Sequence, residues 1–372
     1  MADTKDLLER ASQQFPPHEH LVERLVDRRA RKRRNSRIGA ALVSITVAMF
    51  GIGTVIETLN TGQQSVGVGG SSIVDRISVP GAASVVTGGG FVWVNAQGGS
   101  VVRLDPSTGE VLSTTRFSGR GDSGLAFGAG ALWVCDRNSV AKVDSATGEI
   151  IGRAVIATVG DYALFADGSV WVTGGYTRGS NSWVSRIDPA TMTVVATIDI
   201  GPHDWGPLAA EGNDIWVSLS DGGGVLRIDA STNTVVGSVT VGGPPSALAV
   251  TPGVLWATAI DHTGIGVNGI FRIDTSTGNV SPVVDLPMGP QAQGIAVAKG
   301  SVWVSITDYG RAGLKGPFGP ITGSLIRIDA ATGAIVETLA LPSAAYDVAA
   351  DGNVVWVTSE TDGQLLRISP GA

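Results

Sequence analysis

Residues 89–111 read GGFVWVNAQGGSVVRLDPSTGEV. A tryptophan stands between two valines, a glycine turn follows, and a second apolar run ends at Asp105 of a D-x-x-T-G sequence. Side chains alternate across a strand, so Trp93 points to one face while Val92 and Val94 point to the other. Apolar residues on both faces require cover on both faces. An aspartate at a strand end accepts backbone N–H groups and a glycine supplies positive φ, so D-x-x-T-G reads as a tight turn. The stretch is two strands and the start of a third.

The same text recurs as FVWVN, ALWVC, SVWVT, DIWVS, VLWAT, SVWVS and VVWVT, centred on Trp93, Trp133, Trp171, Trp216, Trp256, Trp303 and Trp356. The steps are 40, 38, 45, 40, 47 and 53 residues. Each copy is followed by a second strand, VVRLD, VAKVD, VSRID, VLRID, IFRID, LIRID and finally LLRIS. Six of these lead through a turn into a third strand such as EVLSTTRF, and a short apolar strand such as GLAF or GIAV precedes each tryptophan strand. Four short strands in a period of about 40–45 residues describe a β-propeller blade. The last copy stops at Leu366-Arg367-Ile368 without an outer strand, and an orphan strand, IVDRISV (Ile73–Val79), stands before the first. Pairing the two closes the ring and hides an edge. The expected fold is all-β, a seven-bladed β-propeller over residues 73–372, with four-stranded blades and the N-terminal strand closing the last.

Two features that invite a chemical reading fall to this scaffold. An aspartate repeated six times at one turn is a cap, not a catalytic group. Cys135 directly follows Trp133-Val134 in a strand and reads as a small buried hydrophobe rather than a reactive thiol. As the only cysteine it can form no intrachain disulfide.

Ahead of the repeats, Ile38–Ile56 is IGAALVSITVAMFGIGTVI, free of charge and about 28 Å long as a helix, close to a bilayer's hydrocarbon thickness. The run RRARKRRNSR precedes it, which predicts a cytoplasmic N-terminus and an exported body. The reading is therefore a basic, partly helical cytoplasmic tail at 1–37, a transmembrane helix at 38–59 and a flexible Gly/Ser tether at 60–72. His18 and His20 in the tail lack a cysteine or third ligand nearby and read as solvated surface. The 372 residues carry a formal charge of −7. Residues 1–59 hold ten Lys+Arg against seven Asp+Glu, and the rest sixteen against twenty-six. An acidic body excludes nucleic acid as its partner.

The succession VWV, RID, TG and a valine-rich strand resembles the YVTN-type bacterial seven-bladed propellers, which include streptogramin-lyase-like proteins. The resemblance runs from about Ile73 to Ala372. It implies an extracytoplasmic binding or interaction module, with a metal-dependent lyase or lactone hydrolase at the central channel mouth as the alternative. Quinoprotein dehydrogenases share the D-x-x-T-G turn but end the next strand in tryptophan; here those strands read VLSTT, IIGRA, VVATI, VVGSV, VSPVV and IVETL, which disfavours a quinone cofactor. Streptogramin lyases use a metal with a histidine base, and the body holds only His203 and His262, on different blades. No cofactor is expected; a divalent metal enters only with the enzyme alternative.

Outer-to-inner and second-to-third connections emerge on one face of a propeller, and here they are the irregular ones. They supply Arg120 and Asp122, Asp161 and Tyr162, Trp183, His203, Asp204 and Trp205, Asp261 and His262, Asp308, Tyr309 and Arg311, and Tyr346 and Asp347. The opposite turns (TGGG, GAG, ADG, EGN and the D-x-x-T-G series) are short and uniform. Aromatic, acidic and basic residues on variable loops of a rigid ring are the makings of a binding surface for a small molecule, a glycan or an envelope protein.

Overall fold

A computed structural model describes residues 70–371 apart from 97, 119–123, 176–180, 221–222, 261–266, 288, 311–319 and 360, with Trp205 described by its backbone. The described residues form seven four-stranded antiparallel sheets. Blades 1 to 6 occupy 85–116, 125–155, 159–201, 205–240, 245–285 and 290–341. Blade 7 takes three strands from 348–369, and its outer strand is Ser72–Ser78, antiparallel to Gln364–Ser369. The closure expected from the orphan strand is present, one residue earlier than Ile73–Val79. No helix among the described residues is long and apolar enough to cross a membrane. The proposed tail, span and most of the tether, residues 1–69, lie outside the described residues.

Each tryptophan packs forward into the next blade. Trp171 sits in a cluster with Ile215, Val217 and Ile228, Trp256 with Val302, Val304 and Ile328, and Trp303 with Val355, Val357 and Ile368. Trp356 closes the circle against Val92, Val94 and Leu104 of blade 1. The residues that receive one ring are thus the neighbours of the next tryptophan and the apolar residue directly after the Arg or Lys of the strand that follows it. All seven rings are buried, and truncating such a side chain costs about 3–5 kcal/mol.

A cation lies over every ring. Arg103, Lys142, Arg186, Arg227, Arg272, Arg327 and Arg367 stand directly across the sheet from the seven tryptophans, 4.8 to 5.9 Å from the ring centres. Several also reach onward. Arg103 donates to the Ser145 carbonyl, Lys142 to Pro189, Arg186 to Ala230 and Arg367 to Ser107, each in the following blade's turn. The basic residue of R-I-D is therefore an interblade staple, joining a cation–π contact to a charge-assisted hydrogen bond.

A second ring of stitches uses the residue two after the tryptophan. The Thr173 hydroxyl donates to Gly206 O at 3.0 Å, Ser218 to Pro245 O at 2.6 Å, Ser305 to Tyr346 O at 3.0 Å and Thr358 to Ala83 O at 2.6 Å. Each joins a tryptophan strand to the start of the next blade's inner strand or the connection entering it. Cys135 occupies the same position in blade 2 and is fully buried. Burial pushes its thiol well above the ordinary range, and the Asp161 carboxylate adds to the effect.

The turns behave as caps. Asp105 Oδ1 accepts the N–H groups of Ser107 and Thr108 at 2.7 and 3.0 Å, and Gly109 closes the turn at φ 72°. The six equivalents, Asp105, Asp144, Asp188, Asp229, Asp274 and Asp329, are all held below the usual carboxylate range, Asp105, Asp229, Asp274 and Asp329 first by a turn Ser or Thr hydroxyl and Asp144 and Asp188 first by a backbone N–H.

The outer edges are guarded in one consistent way. Register skips leave Leu112, Ile151, Val195, Val236 and Val336 bulged out one step past the turn, and Val74 in the closing strand. All six are exposed. In blade 5 the skip falls at Val283, next to Pro282, in the outer strand Val280–Asp285. Bulges and proline both spoil a straight edge for pairing with another chain.

Candidate functional site

The inner strands of neighbouring blades line the centre of the ring, and at the irregular face four of them bulge. The skips fall at Asp161 in blade 3, Gly206-Pro207 in blade 4, Ser246 in blade 5 and Gln293-Gly294 in blade 6. Bulges at a barrel or propeller rim re-aim side chains. They account for much of the irregularity seen in the sequence.

Around this mouth the expected residues separate into small groups. Between blades 2 and 3, the Gly124 N–H donates to Asp161 O at 2.7 Å, and a Cβ at Gly124 would meet Tyr162 Cα at 2.6 Å. Only glycine allows that approach, and the adjoining Tyr162 is left exposed. Between blades 3 and 4, the His203 carbonyl accepts from the Ser182 hydroxyl at 2.6 Å and the Asp204 carbonyl accepts the Ser220 N–H at 3.0 Å. Trp205 begins the inner strand Trp205–Glu211. Trp183 is not a loop residue: it lies in Ser182–Asp188, half-buried and opposite Asp199.

On blade 6, Asp308 ends its strand and accepts the Gly310 N–H at 2.8 Å. Gln293 Nε2 donates to Gln291 Oε1 at 3.2 Å and to the Tyr309 hydroxyl at 3.4 Å. Tyr346 follows on the next blade, 41% exposed, its carbonyl held by Ser305. Arg120, Asp122, Asp261, His262 and Arg311 lie outside the described residues.

Asp347 has a different occupation. Its Oδ2 accepts the Val85 N–H of blade 1 at 2.9 Å, and its Oδ1 accepts the Val348 N–H at 2.8 Å. A Cβ on Gly294 would meet Asp347 Cα at 2.8 Å, so blade 6 passes hard against it. Burial pushes this carboxyl up to about 6, against the downward pull of its two N–H donors. The carboxylate spans the seam between the last blade and the first.

Among the described residues no three His, Cys, Asp or Glu side chains gather where they could hold a metal ion. The convergent carboxylates required by a metal-dependent propeller enzyme are therefore not found among them.

No protein-family model matches the chain, and no curated protein does. Solved structures do. Hydrazine synthase of Kuenenia stuttgartiensis is similar with a TM-score of 0.63 at 16% identity, over 83% of this chain and 99% of that one. The β-propeller domain of Myceliophteria thermophila Cps50 (Swd1) gives 0.62 at 13% identity, over 80% and 99%. The computationally designed Ika8 protein gives 0.54 at 16%, over 80% and 99%. The shared property is the fold. The chain is a seven-bladed β-propeller.

Two residues of this rim, Gln291 and Gln293, are neither charged nor aromatic and are not among the residues expected from the sequence. Their signal is positional: QAQ precedes GIAV just as GDY precedes ALF in blade 3.

Proposed function

We propose that this chain is a membrane-anchored, extracytoplasmic binding module that engages a ligand or partner protein through the irregular face of its propeller. The difference between the two faces carries the reading. One face is closed by near-identical capped turns, and it also receives both ends of the propeller, where the Gly371 N–H donates to Ser71 Oγ at 3.2 Å and Ser71 is tied to Glu337. The other face is clear of those ends and carries bulged inner strands with exposed Tyr162 and Tyr346. Rigid scaffolds with function on variable loops follow this plan. The charge-free segment 38–56 behind its basic run supports the anchor, with residues 1–37 on the cytoplasmic side. The family reading, a YVTN-type propeller, rests on the VWV, RID and TG repeats.

Photo-crosslinking in the native envelope tests the face. A benzoylphenylalanine at Tyr162 or Tyr346 is expected to give discrete adducts, and one at Gly130 or Gly352 in the opposite turns is expected to give none. Equal labelling from both faces would remove the basis for the proposal.

A further inference from the structure

This inference rests on the binding-face reading and names the ligand class. At the mouth, blade 6 gathers two amides and a phenol that the repeat does not call for. The bulge between Ala292 and Ile295 turns Gln293 toward Gln291 and Tyr309. Fully buried Ser305 fixes this bulge to the neighbouring loop: its oxygen accepts the Gly294 N–H at 2.9 Å and its hydroxyl donates to Tyr346 O at 3.0 Å. One buried hydroxyl thus ties the Gln293-Gly294 bulge to the backbone of the exposed Tyr346.

The chemistry of this group is specific. With Gln293 Nε2 shared between Gln291 and Tyr309, Gln293 keeps its carbonyl as an acceptor and Gln291 keeps its NH2 as a donor. Vicinal hydroxyls, which both donate and accept, complement such a pair. A tyrosine ring beside them offers an apolar face with a polar tip. The described residues of blades 5 to 7 on this face include no lysine or arginine, and Arg311 and Lys315, which follow Tyr309 in sequence, lie outside them. The nearby carboxylates are engaged, Asp308 with Gly310 and Asp347 with Val85 and Val348. An anionic ligand would find no countercharge among them. We infer that Gln291, Gln293, Tyr309 and Tyr346 form a subsite for an uncharged polyhydroxylated ligand, a carbohydrate.

The test is calorimetric titration of the full-length chain, in a detergent without a sugar headgroup, with maltotriose, cellotriose and chitotriose, and with citrate as an anionic control. At least one trisaccharide is expected to bind. Gln293→Ala should weaken it by about tenfold or more, a loss of roughly 1.4 kcal/mol. Ser305→Ala should weaken it as well, while Ser218→Ala, the same stitch at the seam of blades 4 and 5, should leave it unchanged although both loosen the ring. The assignment is overturned if no trisaccharide binds, if citrate binds more tightly, if Gln293→Ala is silent, or if Ser218→Ala costs as much as Ser305→Ala. Sugar indifference together with crosslinks from Tyr162 and Tyr346 would sink the ligand class and leave the binding face standing. Loss of both would sink the face.

Discussion

The Asp347 carboxylate accepts the Val85 N–H at 2.9 Å across the seam where the last blade meets the first. This bond holds a carboxyl that burial pushes up to about 6 from an ordinary 3.8. The folded chain therefore binds this proton more tightly than the unfolded chain does. Between about pH 4 and 6 its contribution makes stability fall as pH rises, by at most about 3 kcal/mol for a carboxyl that keeps some access to water. Asp347→Asn should flatten the slope of unfolding free energy over that interval. An unchanged slope in urea titrations would show that another group sets it.

The capped turns act in the opposite sense and at lower pH. Asp274 is drawn down to about 2, first by the Ser276 hydroxyl and then by the Thr277 N–H. Its stabilisation is complete above about pH 4 and fades as pH drops through 2. Asp274→Ala should lower the denaturation midpoint at pH 7, with the difference from the parent shrinking toward pH 2. A deficit that stayed constant on acidification would mean that the turn does not depend on the ionised carboxylate.

The interblade staples should differ in strength. Arg186 covers Trp171 at 4.8 Å and bonds Asp167, Ser169 and Ala230, whereas Lys142 bonds Pro189 alone beside Trp133. Arg186→Ala is expected to cost about 2–3 kcal/mol and Lys142→Ala about 1 kcal/mol. Urea unfolding of the two variants checks the order. Equal losses would reduce the staple to its cation–π part.

The scaffold was readable because it is written seven times. Trp93 and Asp105 repeat at nearly fixed spacing, and Ile73–Val79 had no place except beside Leu366-Arg367-Ile368. The staples were present in the same letters, but an arginine before Ile-Asp reads as solvated until its ring partner across the sheet is known. Gln291 and Gln293 were harder to see for a different reason. A bulge is a register event between two strands, and one strand's sequence does not display it. Asp347 shows the converse: exposed in appearance beside Tyr346, it is committed to a neighbour's backbone more than 260 residues away in sequence.

The guarded edges yield the last expectation. In all seven blades a bulge breaks the outer edge, and in blade 5, where it falls at Val283, Pro282 also withholds a backbone N–H. Pro282→Val should keep the fold and the Val283 bulge but restore a backbone N–H to the edge of an apolar strand along Val280–Asp285. Such an edge pairs with copies of itself. Light scattering or sedimentation should then show concentration-dependent association that the parent lacks, with the unfolding midpoint changed little. Val336→Ala in blade 6 is the contrast, because it trims an exposed side chain and retains the bulge. Association by Val336→Ala, or none by Pro282→Val, would mean that the aliphatic side chains rather than the broken edges govern the rim.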